Sequence, residues 1–342
     1  MSVRLAAGLL AALLGLAAAS VPPLAMAAPF RLIVTDHEPP LVPNSVMELA
    51  LTEGYFAREG VDVELVRVQQ TPSAIAAMAA GEGEMANIGL DAMLQLHARG
   101  ATDLKAVMSP NKSLPFLIAG SDEIDGAADL SGRSFGVGRL GSLDHSLSLK
   151  VLEAAGVDTE TLAIIPLGQP NVRAQALAAG RIEATTMSIG VWLTLPAHDG
   201  LEVLVDQEAY YRAAPVVNKV NVVSPDVLAE RPDEVRAVIR ALILASRDFA
   251  AEPQRWSAAM AELLPHVERT TLDDLAASFD GSWSVNGGLS RSELEFSADW
   301  VFQGPDFDGL DPVPLEHWVE FAPLDAVLSE LGTDPSADAA DR

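Results

Sequence analysis

Glu53-Gly54-Tyr55-Phe56-Ala57-Arg58-Glu59-Gly60-Val61-Asp62-Val63-Glu64-Leu65 places two periodicities side by side. Residues 46–56 space their apolar side chains as a helix does, and Gly60 stops the run. Residues 61–66 then alternate apolar and polar, the pattern of a half-buried strand. Working outward, Phe30-Arg31-Leu32-Ile33-Val34 reads as a preceding strand. Downstream, Thr71-Pro72-Ser73 opens an alanine-rich helix, with Thr as N-cap, Pro in the first turn and Gly81 at the end. A strand at 85–89, a helix at 90–99 and strands at 104–108 and 114–119 follow. Strands alternating with helices predict an α/β chain, with parallel-rich sheets flanked by helices.

From Asp129 the pattern restarts: strand 134–137, helix 142–155, strand 162–166, helix 171–179, strand 182–186, a helix from Val191 and a strand at 201–205. After Pro215 it turns helical, with segments at 225–250, 252–264, 271–279, 291–301 and 314–331. Residues 332–342 are polar and acidic and read as a disordered tail. One echo links the halves. Ala79-Ala80-Gly81 before Glu84-Met85 is repeated in type as Ala178-Ala179-Gly180 before Glu183-Ala184. Alanine-rich helices commonly end in Gly; two lobes on one plan is the sharper reading of the same residues.

The N-terminus carries Arg4, an apolar run at 5–16 and the small triplet Ala25-Met26-Ala27, which reads as a secretory signal cut after Ala27. A membrane span needs about 20 apolar residues, more than this run provides before Pro22-Pro23. The mature chain is therefore expected to be exported, without stable membrane insertion. Lys and Arg total 22 against 48 Asp and Glu, a net charge of −26, which excludes a nucleic-acid binder built on basic patches. The absence of cysteine excludes disulfides, thiolate metal sites and cysteine nucleophiles.

In parallel sheets ligands bind beyond the carboxyl ends of the strands. That rule selects Asp36, His37 and Glu38 after the first strand, Thr71 after the second, and Leu90 and Asp91 after the third. In the second half it selects Gly141, Ser142, Asp144 and His145, then Ser188 and Trp192. Asn111 is a candidate at the passage between halves. The loop Gly138-Arg139-Leu140-Gly141-Ser142 before a helix offers backbone N–H groups to a carboxylate, sulfonate or phosphate, or equally a simple cap by Ser142. It lacks the Gly-Lys-Ser/Thr of a P-loop and the dinucleotide glycine pattern. Neither the His37 cluster nor Ser142–Asp144–His145 has the spacing of a metal site or a triad, so no metal, cofactor or catalytic residue is expected.

The 53–65 stretch resembles the opening of solute-binding proteins of ABC importers, of the nitrate, sulfonate, taurine and thiamine-precursor type. Asp129-Leu130-Ser131-Gly132-Arg133 before Phe135-Gly136-Val137, Gly141-Ser142, the second Ala-Ala-Gly echo and Arg231-Pro232-Asp233-Glu234-Val235 extend the resemblance in order from Arg31 to Pro253. The resemblance implies a two-lobe periplasmic binding protein fold (type II). Lobe 1 would comprise 28–118 and 215–331 and lobe 2 119–214, joined by two crossover hinge strands and followed by the helical C-terminal extension. It further implies a monomer in the periplasm that closes on a small-molecule ligand and delivers it to an ABC permease and its ATPase. Glu84 and Glu183 depart from that family's usual Asp. The cleft loops are acid-rich, with few cations beyond Arg139. A sulfonate or carboxylate ligand and a neutral or cationic nitrogen heterocycle both stay open. Enzymes of this fold that depend on cysteine are excluded, and a ligand-reporting sensor component is an alternative to transport.

Overall fold

Short runs of β-branched and aliphatic residues, each bounded by loops, set the framework. They form β1 (Phe30–Val34), β2 (Val63–Arg67), β3 (Met85–Gly89), β4 (Lys105–Asn111), β5 (Phe116–Ser121), β6 (Ser134–Val137), β7 (Ala163–Pro166), β8 (Ala184–Ser188), β9 (Leu201–Val205) and β10 (Lys219–Val223). The computed structural model describes residues 28–111, 115–140, 143–279 and 281–335. The expected leader, Gly141 and Ser142 lie outside the described residues, as does the side chain of Asn111.

Two five-stranded sheets result, in the orders β2-β1-β3-β10-β4 and β7-β6-β8-β5-β9. In the first, β1 runs parallel to β2 and β3, and β10 runs antiparallel to β3 and β4. In the second, β6 runs parallel to β7 and β8, and β5 runs antiparallel to β8 and β9. The chain leaves the first sheet after β4 and returns as β10, so each sheet takes one strand arriving from the other. Phe116, Leu117 and Ile118 pair with Ser188, Met187 and Thr186, which puts them in the second sheet.

The repeated acids have matching jobs. Glu84 accepts from the Arg31 backbone N–H (2.6 Å), Nε (3.2 Å) and Nη2 (2.6 Å), sealing the start of β1 against β3. Glu183 accepts from the Ser134 N–H (2.8 Å) and Arg133 Nη1 (2.7 Å), sealing β6 against β8 in the same way. Burial alone would push the Glu84 carboxyl up, but the hydrogen bonds from Arg31 outweigh it and hold the group below its ordinary value. The Arg133 hydrogen bond, then the Ser134 N–H, lower Glu183.

Two of the helical segments divide where the sequence pattern runs through. The 225–250 stretch is two helices, Pro225–Glu230 and Pro232–Ala251. Pro232 disfavours a helical residue before it, and Arg231 sits at φ −127° and ψ 40°. The longer helix turns Val235, Val238, Ile239, Leu242, Ile243, Ser246 and Phe249 inward at helical spacing. The 314–331 stretch keeps an α-helix only at Ala322–Leu331. Before it, Val319 forms a parallel bridge to Ala106, with Ala106 N–H donating to Trp318 O (2.7 Å) and Glu320 N–H to Ala106 O (2.9 Å). Backbone pairing at the sheet edge wins there over helical propensity. Residues 332–335 are held, because Arg247 Nη2 donates to Gly332 O (2.6 Å) and Asn286 exchanges hydrogen bonds with Asp334.

The first core surrounds sheet one and the C-terminal helices, with Trp256, Phe279 and Trp318 fully buried, and runs on to Leu177, Ile182, Met187 and Ile189 beside the second sheet. A second core, with Phe135, Leu147, Val151 and Tyr210, lies on the other sheet. The helix Arg291–Phe302 reaches this second core: Lys150 Nζ stands 4.8 Å from the Trp300 ring centre, and Tyr211 OH donates to Glu293.

Candidate functional site

The carboxyl ends of β1 and β8 face each other. A Cβ placed on Gly190, just past β8, would lie 3.3 Å from the carbonyl oxygen of Leu41, in the loop after β1. A larger side chain would therefore press the two rims apart. Among the described residues, the polar groups on the two edges form one cluster on each sheet.

On the first sheet, Thr35 is buried at the end of β1, and its Oγ1 accepts from Lys219 Nζ at 2.8 Å. Lys219 opens β10 as the chain returns from the second sheet, in register with Gly89 and Asn111. Its Nζ lies 3.8 Å from Asp36 Oδ2. Asp36 Oδ2 also accepts from Asn44 Nδ2 (3.4 Å), which donates in turn to Asn87 Oδ1 (3.3 Å). Asn87 Nδ2 donates to Asn221 Oδ1 at 2.9 Å. These three amides are buried, so the row fixes the Asp36 carboxylate from within the core. Thr71 Oγ1 accepts from Gly89 N–H (3.0 Å), and a Cβ on Gly89 would meet Asp91 Oδ1 at 2.6 Å. Thr71, Asp91, Asp36 and Lys219 thus share one edge. Leu90 is buried and gives its N–H to Asn218 O (3.0 Å), which anchors the returning crossover. His37 and Glu38 are exposed on the same loop.

On the second sheet, Asp144 turns back from the first turn of the helix Leu143–Ala154. Its Oδ2 accepts from Gly138 N–H at 2.9 Å and lies 3.3 Å from Arg173 Nη2. Arg173 is 3% exposed. Its Nη1 donates to Gly168 O (2.5 Å), its Nε to Thr185 Oγ1 (3.2 Å) and its Nη2 to Thr186 O (3.1 Å). Burial pulls this guanidinium below its ordinary value while the charge of Asp144 opposes that pull. Ser148 Oγ joins the network through Asp144 O (2.5 Å) and Thr186 Oγ1 (2.7 Å). His145 is half-buried beside Asp144. Ser188 caps its short helix by accepting from Val191 N–H (3.3 Å). Trp192 tilts on His198, with ring centres 4.4 Å apart, and its carbonyl oxygen accepts from His198 Nε2 at 2.8 Å.

The strand-end rule therefore finds both edges but misses Asn44, Asn87, Arg173, Lys219 and Asn221. Arg173 reads as an ordinary polar position of a short helix, and no period marks it as buried. The signal for Lys219 is its place at the head of the strand that follows the second crossover. Among the described residues no group of three His, Asp or Glu side chains is arranged to hold a metal ion, and no helix is long and apolar enough to cross a membrane.

No curated relative matches the sequence. Solved structures do. The aliphatic sulphonate binding protein SsuA of Escherichia coli is 15% identical, with a TM-score of 0.67 over 85% of this chain and 91% of that one. The periplasmic sulfonate-binding protein SsuA of Methylobacillus flagellatus KT is 12% identical, with a TM-score of 0.72 over 92% and 98%. The desulfurization enzyme DSZB is 18% identical, with a TM-score of 0.62 over 88% and 99%. These likenesses identify the periplasmic binding protein fold, in agreement with the two mixed sheets and their exchanged strands. The model of the family described as NMT1/THI5 like matches residues 45–256, well over half of the sequence, and the chain belongs to that family.

Proposed function

We propose that the chain is a periplasmic solute-binding protein of an ABC importer, exported by the leader at 1–27. It captures a small polar organic solute between its lobes by hinge closure and delivers it, unaltered, to a permease driven by an ATPase. The observation that carries this reading is the apposition of the two strand-end edges at Gly190 and Leu41, with polar clusters on both. The importer components of matching fold support it. An enzymatic reading draws on DSZB alone among these comparisons, and a cysteine nucleophile is excluded by composition.

Asp36, His37, Glu38, Thr71, Leu90, Asp91 and Asn111 on lobe 1, and Gly141, Ser142, Asp144, His145, Ser188 and Trp192 on lobe 2, are the proposed ligand-binding set. Lys219 is added by its place at the hinge, and its ammonium supports a sulfonate or carboxylate. The carboxylates of Asp36 and Asp144 support the second ligand chemistry, a neutral or cationic nitrogen heterocycle. Titration of the mature chain with sulfonates, carboxylates and pyrimidines, followed by tryptophan fluorescence and small-angle scattering, tests the reading. Saturable binding with a smaller radius of gyration is expected. Turnover of a bound compound, or silence across the panel, counts against it.

A further inference from the structure

The second-sheet edge holds an anion seat that the chain already fills. A buried guanidinium (Arg173) and a backbone N–H (Gly138) converge on one point, the arrangement that receives a carboxylate or sulfonate oxygen. The oxygen found there is Asp144 Oδ2, 2.9 Å from the Gly138 nitrogen and 3.3 Å from Arg173 Nη2. Arg173 also donates to Gly168 O, Thr185 Oγ1 and Thr186 O, which hold the guanidinium in place. The absence of a side chain on residue 138 is part of the fit. A Cβ there would stand 3.0 Å from Asp144 Oδ1 and 3.3 Å from Arg173 Nη1. Arg173 is buried, whereas the Asp144 side chain keeps 22% of its exposure, so Asp144 is the cleft-side member of the pair.

We propose that Asp144 is a specificity-determining residue, an internal anion that occupies the seat an anionic solute would take and turns this wall of the cleft toward solutes presenting N–H donors or positive charge. The inference rests on the cleft being the ligand site and decides between the two ligand chemistries. An incoming sulfonate must either displace Asp144 from Arg173 or sit beside it. Displacement leaves a carboxylate without its buried counter-charge, and adjacency sets like charges together; both weaken anion binding. An amidinium, ammonium or aminoheterocycle finds instead a carboxylate already oriented by a backbone N–H and an arginine.

The test is calorimetric titration of the mature chain with methanesulfonate and with acetate. Asp144→Asn keeps a side-chain acceptor for Gly138 N–H and removes the charge. Its affinity for both anions is expected to rise roughly tenfold to a hundredfold over the parent chain. Asp144→Ala, which empties the seat while leaving Gly138 N–H and Arg173 in place, is expected to show a rise in the same direction, and it carries the test if Asp144→Asn does not fold by circular dichroism. In Asp144→Asn/Arg173→Gln the gain is expected to vanish. Anion affinity unchanged or lowered in both single variants overturns the inference, as does a gain that survives loss of Arg173. The outcomes separate from those of the transport reading. A parent chain that closes on a panel solute while Asp144→Asn gains no anion affinity sinks the role of Asp144 alone. A gain in Asp144→Asn without closure on any solute leaves that role standing and sinks the transport reading.

Discussion

The two sheets repeat one plan and differ in what they mount on it. In each, a parallel trio is followed by an antiparallel strand arriving from the other sheet, and a glutamate at the head of the third parallel strand ties down the start of the first. Glu84 and Glu183 are thus equivalent in topology, yet not in setting. The Glu84 side chain is 12% exposed and also meets Arg231 Nη1 at 3.4 Å, whereas Glu183 is 38% exposed with Arg133 as its ion-pair partner among the described residues. The cleft edges diverge further. Sheet one presents Lys219 and Asp36 backed by a row of buried amides; sheet two presents Asp144 backed by a buried arginine. The shared plan therefore fixes where the loops lie, and the loops and their supports fix the chemistry.

The difference can be broken experimentally, beginning with the supports. Arg173→Ala removes the cation beneath Asp144 and leaves two carbonyls and a hydroxyl without their donor, an expected loss of about 2–4 kcal/mol in urea denaturation. A loss within error of zero would show that the second edge does not depend on its buried cation. Glu84→Ala is expected to cost about 2 kcal/mol. Glu183→Ala, at the more exposed counterpart, should cost below about 1 kcal/mol. Equal losses would erase the asymmetry between the two sheets.

Acid sharpens the same contrast. A carboxyl held below its ordinary value stabilises the fold above the unfolded-state pKa, near 4.3, and that contribution fades as pH falls through the folded value. Glu84 and Glu183 both carry this sign. Denaturation midpoints are expected to fall below about pH 4, with Glu84→Gln flattening the fall more than Glu183→Gln. The smallest effect on stability, but a clear one on shape, is expected from Gly190→Leu. Its side chain has no room against Leu41 when the rims meet, so scattering should report a larger radius of gyration in the variant than in the parent.

Much of this was legible in the sequence because it depends on local period and punctuation. The helix-to-strand junction at 53–65, the repeated Ala-Ala-Gly stops and the acids that follow them locate both sheets and both strand-end edges. The break at Pro232 was visible in principle, since a proline restricts the residue before it. The pairing of Val319 with Ala106 was not, because the partner strand lies more than two hundred residues earlier. The charge balance of the site was the least accessible part. Counting loop residues gives acids with few cations, whereas folding brings Lys219 from the return crossover and Arg173 from a helix interior to meet them. A buried cation is set by tertiary packing and leaves no periodic trace.

Reversible capture of an unaltered solute between the two lobes is tested by native mass spectrometry of the mature chain with the solute panel. An adduct of one small organic molecule is expected, lost on denaturation and recovered at the mass of the compound supplied. A bare chain with every compound, or a recovered molecule of changed mass, would contradict it.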